Sequence, residues 1–145
     1  MTDVGRFGSA VVLADTSAWG RASLPPVAAD WSEAIRRGEI VTSPVVELEV
    51  LFAARDAPDI ELREEVFAPL RRLALSASVA HAALAAMREL AGRSAGYHRI
   101  PLPDYLIAAS AQEFGIDVLH YDHHYDRLAE VMRFESRWIA PPGSL

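Results

Sequence analysis

The chain alternates short apolar runs with stretches of helical spacing. Val11 to Ala14, with Ala10 before them, form an apolar run bounded by Gly8 and Asp15. An uninterrupted run of this length predicts a buried strand of the parallel type. Val27, Trp31, Ala34 and Ile35 recur at helical spacing and stop at Gly38, a helix end. Glu39 to Thr42 predicts a second short strand. Ser43-Pro44 reads as an N-cap followed by Pro at the first helical position, opening a helix to about Arg55. Asp59 to about Arg72 carries Ile60, Val66 and Leu70 and suits another helix. Ser78 can cap a helix over Val79 to Ala91, and residues 92–103 read as a loop with two Gly and two Pro. Asp104 to Phe114 is helical and closed by Gly115. Ile116 to His120 is a strand ending near Asp122, a helix follows to about Arg133, and Trp138-Ile139 suggests a last strand. Strands that alternate with helices predict one α/β domain over residues 1–145, a central parallel sheet flanked by helices.

Composition narrows the chemistry. The 145 residues are 51% hydrophobic and 23% charged, a globular balance with enough chain for one core. No cysteine is present, which excludes disulfides, zinc–thiolate sites, iron–sulfur clusters and thiol nucleophiles. All 14 basic residues are arginine. Lysine Schiff bases and the P-loop phosphate cradle are therefore excluded. The formal net charge is -6, so any nucleic acid must be gripped locally, with cations screening an acidic centre. No run of about 18 apolar residues occurs, so no membrane span is expected. Met1 to Ser9 lacks a signal-peptide pattern, which points to the cytoplasm.

Four carboxylates fall in telling places. Ligands of open parallel sheets bind beyond the carboxyl ends of the strands. Asp15 and Asp122 lie just past two predicted strands, and Asp104 opens a helix before the second of them. Each alone is most simply a turn or cap residue. Glu49 differs. On a wheel at about 100° per residue, Val45, Leu48 and Phe52 share a face, and Glu49 lies about 40° from Val45. Glu47 falls on the far side, as a solvated charge. A carboxylate aimed at a core must be paired, protonated or bound to metal, and Arg55 is the obvious ionic partner for Glu49. Carboxylates gathered closely need a positive charge among them. Oxygen ligands suit Mg²⁺ or Mn²⁺.

These residues sit in motifs. Val12-Leu13-Ala14-Asp15-Thr16-Ser17-Ala18-Trp19, Leu48-Glu49-Val50-Leu51-Phe52, Pro103-Asp104-Tyr105-Leu106-Ile107-Ala108-Ala109 and Leu119-His120-Tyr121-Asp122-His123-His124-Tyr125 follow in order. In that order the chain resembles the PIN-domain ribonucleases, specifically VapC-type toxins of bacterial toxin–antitoxin pairs. The ending Trp138 to Leu145 is similar to the family's as well. The resemblance implies a metal-dependent endoribonuclease with Asp15, Glu49, Asp104 and Asp122 as its acidic site. Asp15 and Asp104 would be the direct Mg²⁺ ligands, with Mn²⁺ an alternative ion. Glu49 and Asp122 would complete the site and orient the attacking water. The hydroxyls of Thr16 and Ser17 would support the metal shell. Many relatives carry an acid where His124 stands, so either a second metal site is lost or the preference shifts toward Mn²⁺. RNA substrate, a cognate antitoxin and a homodimer are the implied partners.

Arg55 and Arg99 are candidate phosphate contacts, with Arg21, Arg93 and His98, whereas Arg36-Arg37 and Arg71-Arg72 read as solvated faces. Trp19 and Tyr105 could stack a base or pack in the core. Helices 59–72 and 79–91 could supply a dimer surface or an antitoxin groove. Zinc or nickel at His120, His123 and His124 is disfavoured, because an extended chain points His120 and His123 to opposite sides. A non-catalytic RNA- or antitoxin-binding module of the same fold is the alternative function. A haloacid-dehalogenase-like phosphatase wants Asp-x-Asp and a lysine, and the chain has Asp15-Thr16-Ser17 and no lysine.

Overall fold

A computed structural model describes Phe7 and residues 11–145. Ala10 and the stretch Met1 to Ser9, apart from Phe7, lie outside the described residues. The order of elements is β1 (Val12–Ala14), α1 (Thr16–Trp19), α2 (Pro25–Arg36), β2 (Ile40–Val41), α3 (Pro44–Phe52), α4 (Ala57–Phe67), α5 (Ala77–Arg93), α6 (Leu102–Phe114), β3 (Asp117–His120), α7 (His124–Leu128) and β4 (Ser136–Trp138). The four strands form one parallel sheet in the order β2-β1-β3-β4. Leu13 pairs with Val41 on one side and Val118 on the other. This is the mixed α/β architecture with a central parallel sheet that the alternation of periods predicts.

The sheet has apolar side chains on both faces, as a parallel sheet must. On one face Leu13, Val41 and Val118 pack with Val46, Phe67, Leu90 and Ile107. On the other, Val12, Ala14, Ile40 and Leu119 pack with Val27, Trp31 and Ile139. The two central strands thus end with their carboxyl termini side by side, and Asp15 and Asp122 follow them directly.

Local chemistry sets the helix limits. Asp15, Ser43, Asp56 and Ser76 cap α1, α3, α4 and α5 through their side chains. Gly115 ends α6 in the left-handed region at φ 67°, which a residue with a Cβ enters only under strain. Several boundaries differ from the pattern-based ones. The α5 cap is Ser76, two residues before Ser78, and α5 runs on to Arg93. α4 stops at Phe67, because the chain beyond it is drawn to the sheet edge. There Thr42 N donates to Arg71 O and Leu73 N to Thr42 O. α7 is five residues long and does not reach Arg133.

Candidate active site

Asp15 leaves β1 and at once caps α1. Its Oδ2 accepts from Ser17 N at 2.9 Å and from Ser17 Oγ at 2.5 Å. Ser17 Oγ accepts in turn from Tyr121 N at 2.9 Å. One serine therefore ties the loop after β1 to the loop after β3. Asp15 is 4% exposed, and its other oxygen, Oδ1, accepts from Tyr125 Oη at 2.6 Å.

Asp104 lies in the first turn of α6 and is buried. Its Oδ1 is 3.4 Å from Tyr125 Oη and its Oδ2 3.1 Å from His124 Nδ1. His124 Nδ1 is also 3.1 Å from Asp122 Oδ1. A hydrogen must lie on His124 or on Asp104, since two lone pairs do not approach this closely. Glu49, on α3, accepts from Thr16 Oγ1 at 3.1 Å. The structure thus brings Asp15, Glu49, Asp104 and Asp122 to one end of the sheet, from four separate elements.

The electrostatics follow from that gathering. Burial, and then the charges of Asp15, Asp122 and Glu49, push the Asp104 carboxyl up to about 8. Burial also raises Glu49 above the usual carboxylate range, against the pull of the Thr16 hydrogen bond and with help from Asp15. Among the described residues, none of the four carboxylates is ion-paired to an arginine. The donor set fits a divalent cation. Asp104, Asp122 and His124 each offer one ligand atom, and these lie within 4.8 Å of one another. A mixed oxygen and imidazole set accommodates Mn²⁺ as well as Mg²⁺.

Several expected contacts fall elsewhere. Arg55 is not a partner of Glu49: it is exposed and lies 3.6 Å from Asp59. Neither Arg55 nor Arg99, exposed in the loop before α6, makes a described bond to the carboxylates. Glu47 is not solvated. It is 7% exposed and takes two hydrogen bonds from Arg72, at 2.6 and 2.5 Å. Arg72 is accordingly not a purely solvated charge. Leu48 and Phe52, which the wheel placed toward the core, are 65% and 92% exposed. The α3 face that meets the core is that of Val45 and Val46. Trp19 packs edge-on against Trp31 and Phe67, and Tyr105 is buried with its hydroxyl on His98 O. Both belong to the core.

Two features escape periodicity. The chain from Tyr121 to His124 is a turn and not an extended strand, so His124 swings back to Asp104 while His123 lies exposed. Tyr125 enters the core three residues after Asp122, a helical offset that was the one available signal. His120 braces the backbone of Asp122. It is buried, and burial lowers its imidazole to about 4. Its Nδ1 accepts from Asp122 N at 3.0 Å, so the proton is on Nε2 and goes to Ser136 Oγ at 2.6 Å. Ser136 donates onward to Asp126.

Beside Glu49 a cleft of about 300 Å³ opens, lined by Thr16, Trp19, Val50, Arg63, Val66 and Phe67. Thr16, Glu49 and Arg63 are its polar lining, and Trp19, Val50, Val66 and Phe67 its apolar lining. No helix among the described residues is long and apolar enough to cross a membrane.

Comparison with known proteins agrees with this geometry. The PIN domain family profile matches residues 12–131. The chain is 36% identical over 136 residues to Ribonuclease VapC18 of Mycobacterium tuberculosis, covering 93% of this chain and 99% of that protein. It is 33% identical over 133 residues to Ribonuclease VapC51 of the same organism, covering 92% and 96%. Among solved structures, DNA-bound VapBC from Salmonella typhimurium superposes with a TM-score of 0.69 at 17% identity, over 90% of this chain and 99% of that one. VapBC-5 from Mycobacterium tuberculosis gives 0.62 at 20% identity, over 89% and 98%. These two likenesses speak for the fold.

Proposed function

The chain belongs to the PIN domain family, and we propose that it is a metal-dependent endoribonuclease acting as the toxin of a toxin–antitoxin pair. Residues 1–145 would act as one domain, in the cytoplasm. The observation that carries this reading is the convergence of four carboxylates that have no arginine counter-charge among the described residues. The curated relatives named as ribonucleases, matched over nearly their full lengths, support it.

In this reading Asp15 and Asp104 hold Mg²⁺ or Mn²⁺, and Asp122 and His124 complete the set. When bound, the ion supplies compensating charge, polarises a phosphate and lowers the pKa of a water. The chain's own residues do the rest. Ser17 fixes the rotamer of Asp15. Thr16 holds Glu49, whose raised affinity for a proton suits it to receive one from the attacking water. Arg55, exposed beside Asp59, and the exposed Arg99 would turn toward RNA phosphates. The apolar cleft beside Glu49 would receive a segment of the antitoxin. The exposed Leu84 and Leu102 at the α5–α6 junction would serve a homodimer.

The test is incubation of the purified protein, free of any partner, with cellular RNA and Mg²⁺ or Mn²⁺. Discrete fragments that disappear with EDTA are expected. No cleavage with either ion would favour a binding module of the same fold.

A second experiment checks the exposed face of α3. Leu48→Ser with Phe52→Ser should change the free energy of unfolding by less than about 0.5 kcal/mol per site. A loss of several kcal/mol in a urea titration would return both side chains to the core.

A further inference from the structure

Among the described residues, Tyr125 is the one fully buried side chain whose polar atom faces two of the four carboxylates at once. The ring is held by α7 and lies 4.9 Å from that of His120. Its hydroxyl donates to Asp15 Oδ1 at 2.6 Å and lies 3.4 Å from Asp104 Oδ1. Asp15 and Tyr125 are 110 positions apart in the chain. A carboxylate oxygen 2.6 Å away accepts the phenol's hydrogen, so the hydroxyl acts as the donor. Among the described residues no other side chain donates to Asp15 Oδ1. Ser17 occupies Oδ2, so the two donors together leave Asp15 one orientation.

We propose that Tyr125 is a positioning residue: its hydroxyl, seated between Asp15 and Asp104, sets the spacing and rotamers of these two carboxylates and so the affinity for the divalent cation. The inference rests on the cation reading given above. A donor that orients a ligating carboxylate typically contributes about 10- to 100-fold in metal affinity. An aromatic ring without the hydroxyl keeps the packing and loses the alignment.

The experiment is Mn²⁺ binding by titration calorimetry on the wild type, Tyr125→Phe and Leu128→Val. Leu128 is a fully buried neighbour on α7, so its variant reports loosened packing alone. Thermal melts in EDTA accompany all three. Tyr125→Phe should bind Mn²⁺ about 10- to 100-fold more weakly, with Leu128→Val close to wild type. Half-saturating metal for RNA cleavage should rise in parallel, while the rate at saturating metal recovers. Equal Mn²⁺ affinity in wild type and Tyr125→Phe overturns the proposal. So does a Leu128→Val variant that loses as much affinity as Tyr125→Phe. Wild-type protein that takes up no Mn²⁺ at millimolar concentration removes the cation reading itself, and is seen before any variant is compared.

Discussion

Replacing Asp104 by asparagine is expected to do two opposite things: to lower RNA cleavage by at least about 100-fold, and to stabilise the metal-free protein at alkaline pH. The first effect follows from removing a buried carboxylate from the set proposed to hold the cation. The second follows from proton linkage. The Asp104 carboxyl is raised from 3.8 to about 8, first by burial and then by its acidic neighbours. The folded state therefore holds this proton more tightly than the unfolded chain. Its contribution to stability is complete below about pH 4 and is lost as pH rises toward 8. The slope within that window is about 1.4 kcal/mol per pH unit. Asparagine does not ionise, so the variant loses this slope. Thermal melts in EDTA should show Asp104→Asn above wild type at pH 8, with the gap closing toward pH 5. Adding Mn²⁺ should raise the wild-type melting temperature and leave the variant nearly still. Identical melting curves at both pH values would contradict the linkage, and undiminished cleavage would contradict the site.

The second large effect lies in the first turn of α3. Arg72→Ala should destabilise the protein by about 2–4 kcal/mol. The arginine itself is more than half exposed, which lowers the value of the ion pair as such. The cost comes from Glu47, whose carboxylate would be left buried without its two donors. Removing both partners should cost less than removing Arg72 alone, so Glu47→Leu with Arg72→Leu is expected to recover most of the loss. Urea titrations of Glu47→Leu, Arg72→Leu and the double variant measure the coupling. A change below about 0.5 kcal/mol for Arg72→Ala would mean that water reaches Glu47 freely.

Glu47 also marks where sequence reasoning succeeds and where it fails. Strand ends were legible, because a buried parallel strand is an unbroken apolar run and the acid after it stands out. Asp15 and Asp122 were found that way. Helix faces were less legible. α3 is apolar on nearly all sides, so the wheel had no polar stripe to orient it. It placed Leu48 and Phe52 inward and Glu47 outward, and the structure reverses all three. Glu49 was singled out by an incorrect face, and the structure sets it beside Thr16 at the carboxyl end of the sheet. Its neighbours explain the reversal, since Val45 and Val46 fill the core and Arg72 arrives from a segment no local pattern connects to α3. The turn after β3 was illegible for a related reason. Whether residues 121–124 extend or fold back depends on bonds to Ser17, far away in sequence. His124 and Tyr125 could not be placed at the site without them. The single turn α1 was equally hidden, because four residues carry too little periodicity to register.

The ties between the loops after β1 and β3 bear on when the protein becomes active. Ser17 reaches Tyr121 across 104 positions, and Asp15 reaches Tyr125 across 110. Contacts this distant form late, after the loop-closure entropy has been met. A nascent chain that has not yet delivered β3 and α7 holds Asp15 and Glu49 without Asp122, His124 or Tyr125. The four-carboxylate cluster is therefore withheld from a ribosome-bound chain until β3 and α7 have been delivered. For the ribonuclease proposed above, the order in which the fold closes keeps shorter products without the assembled site.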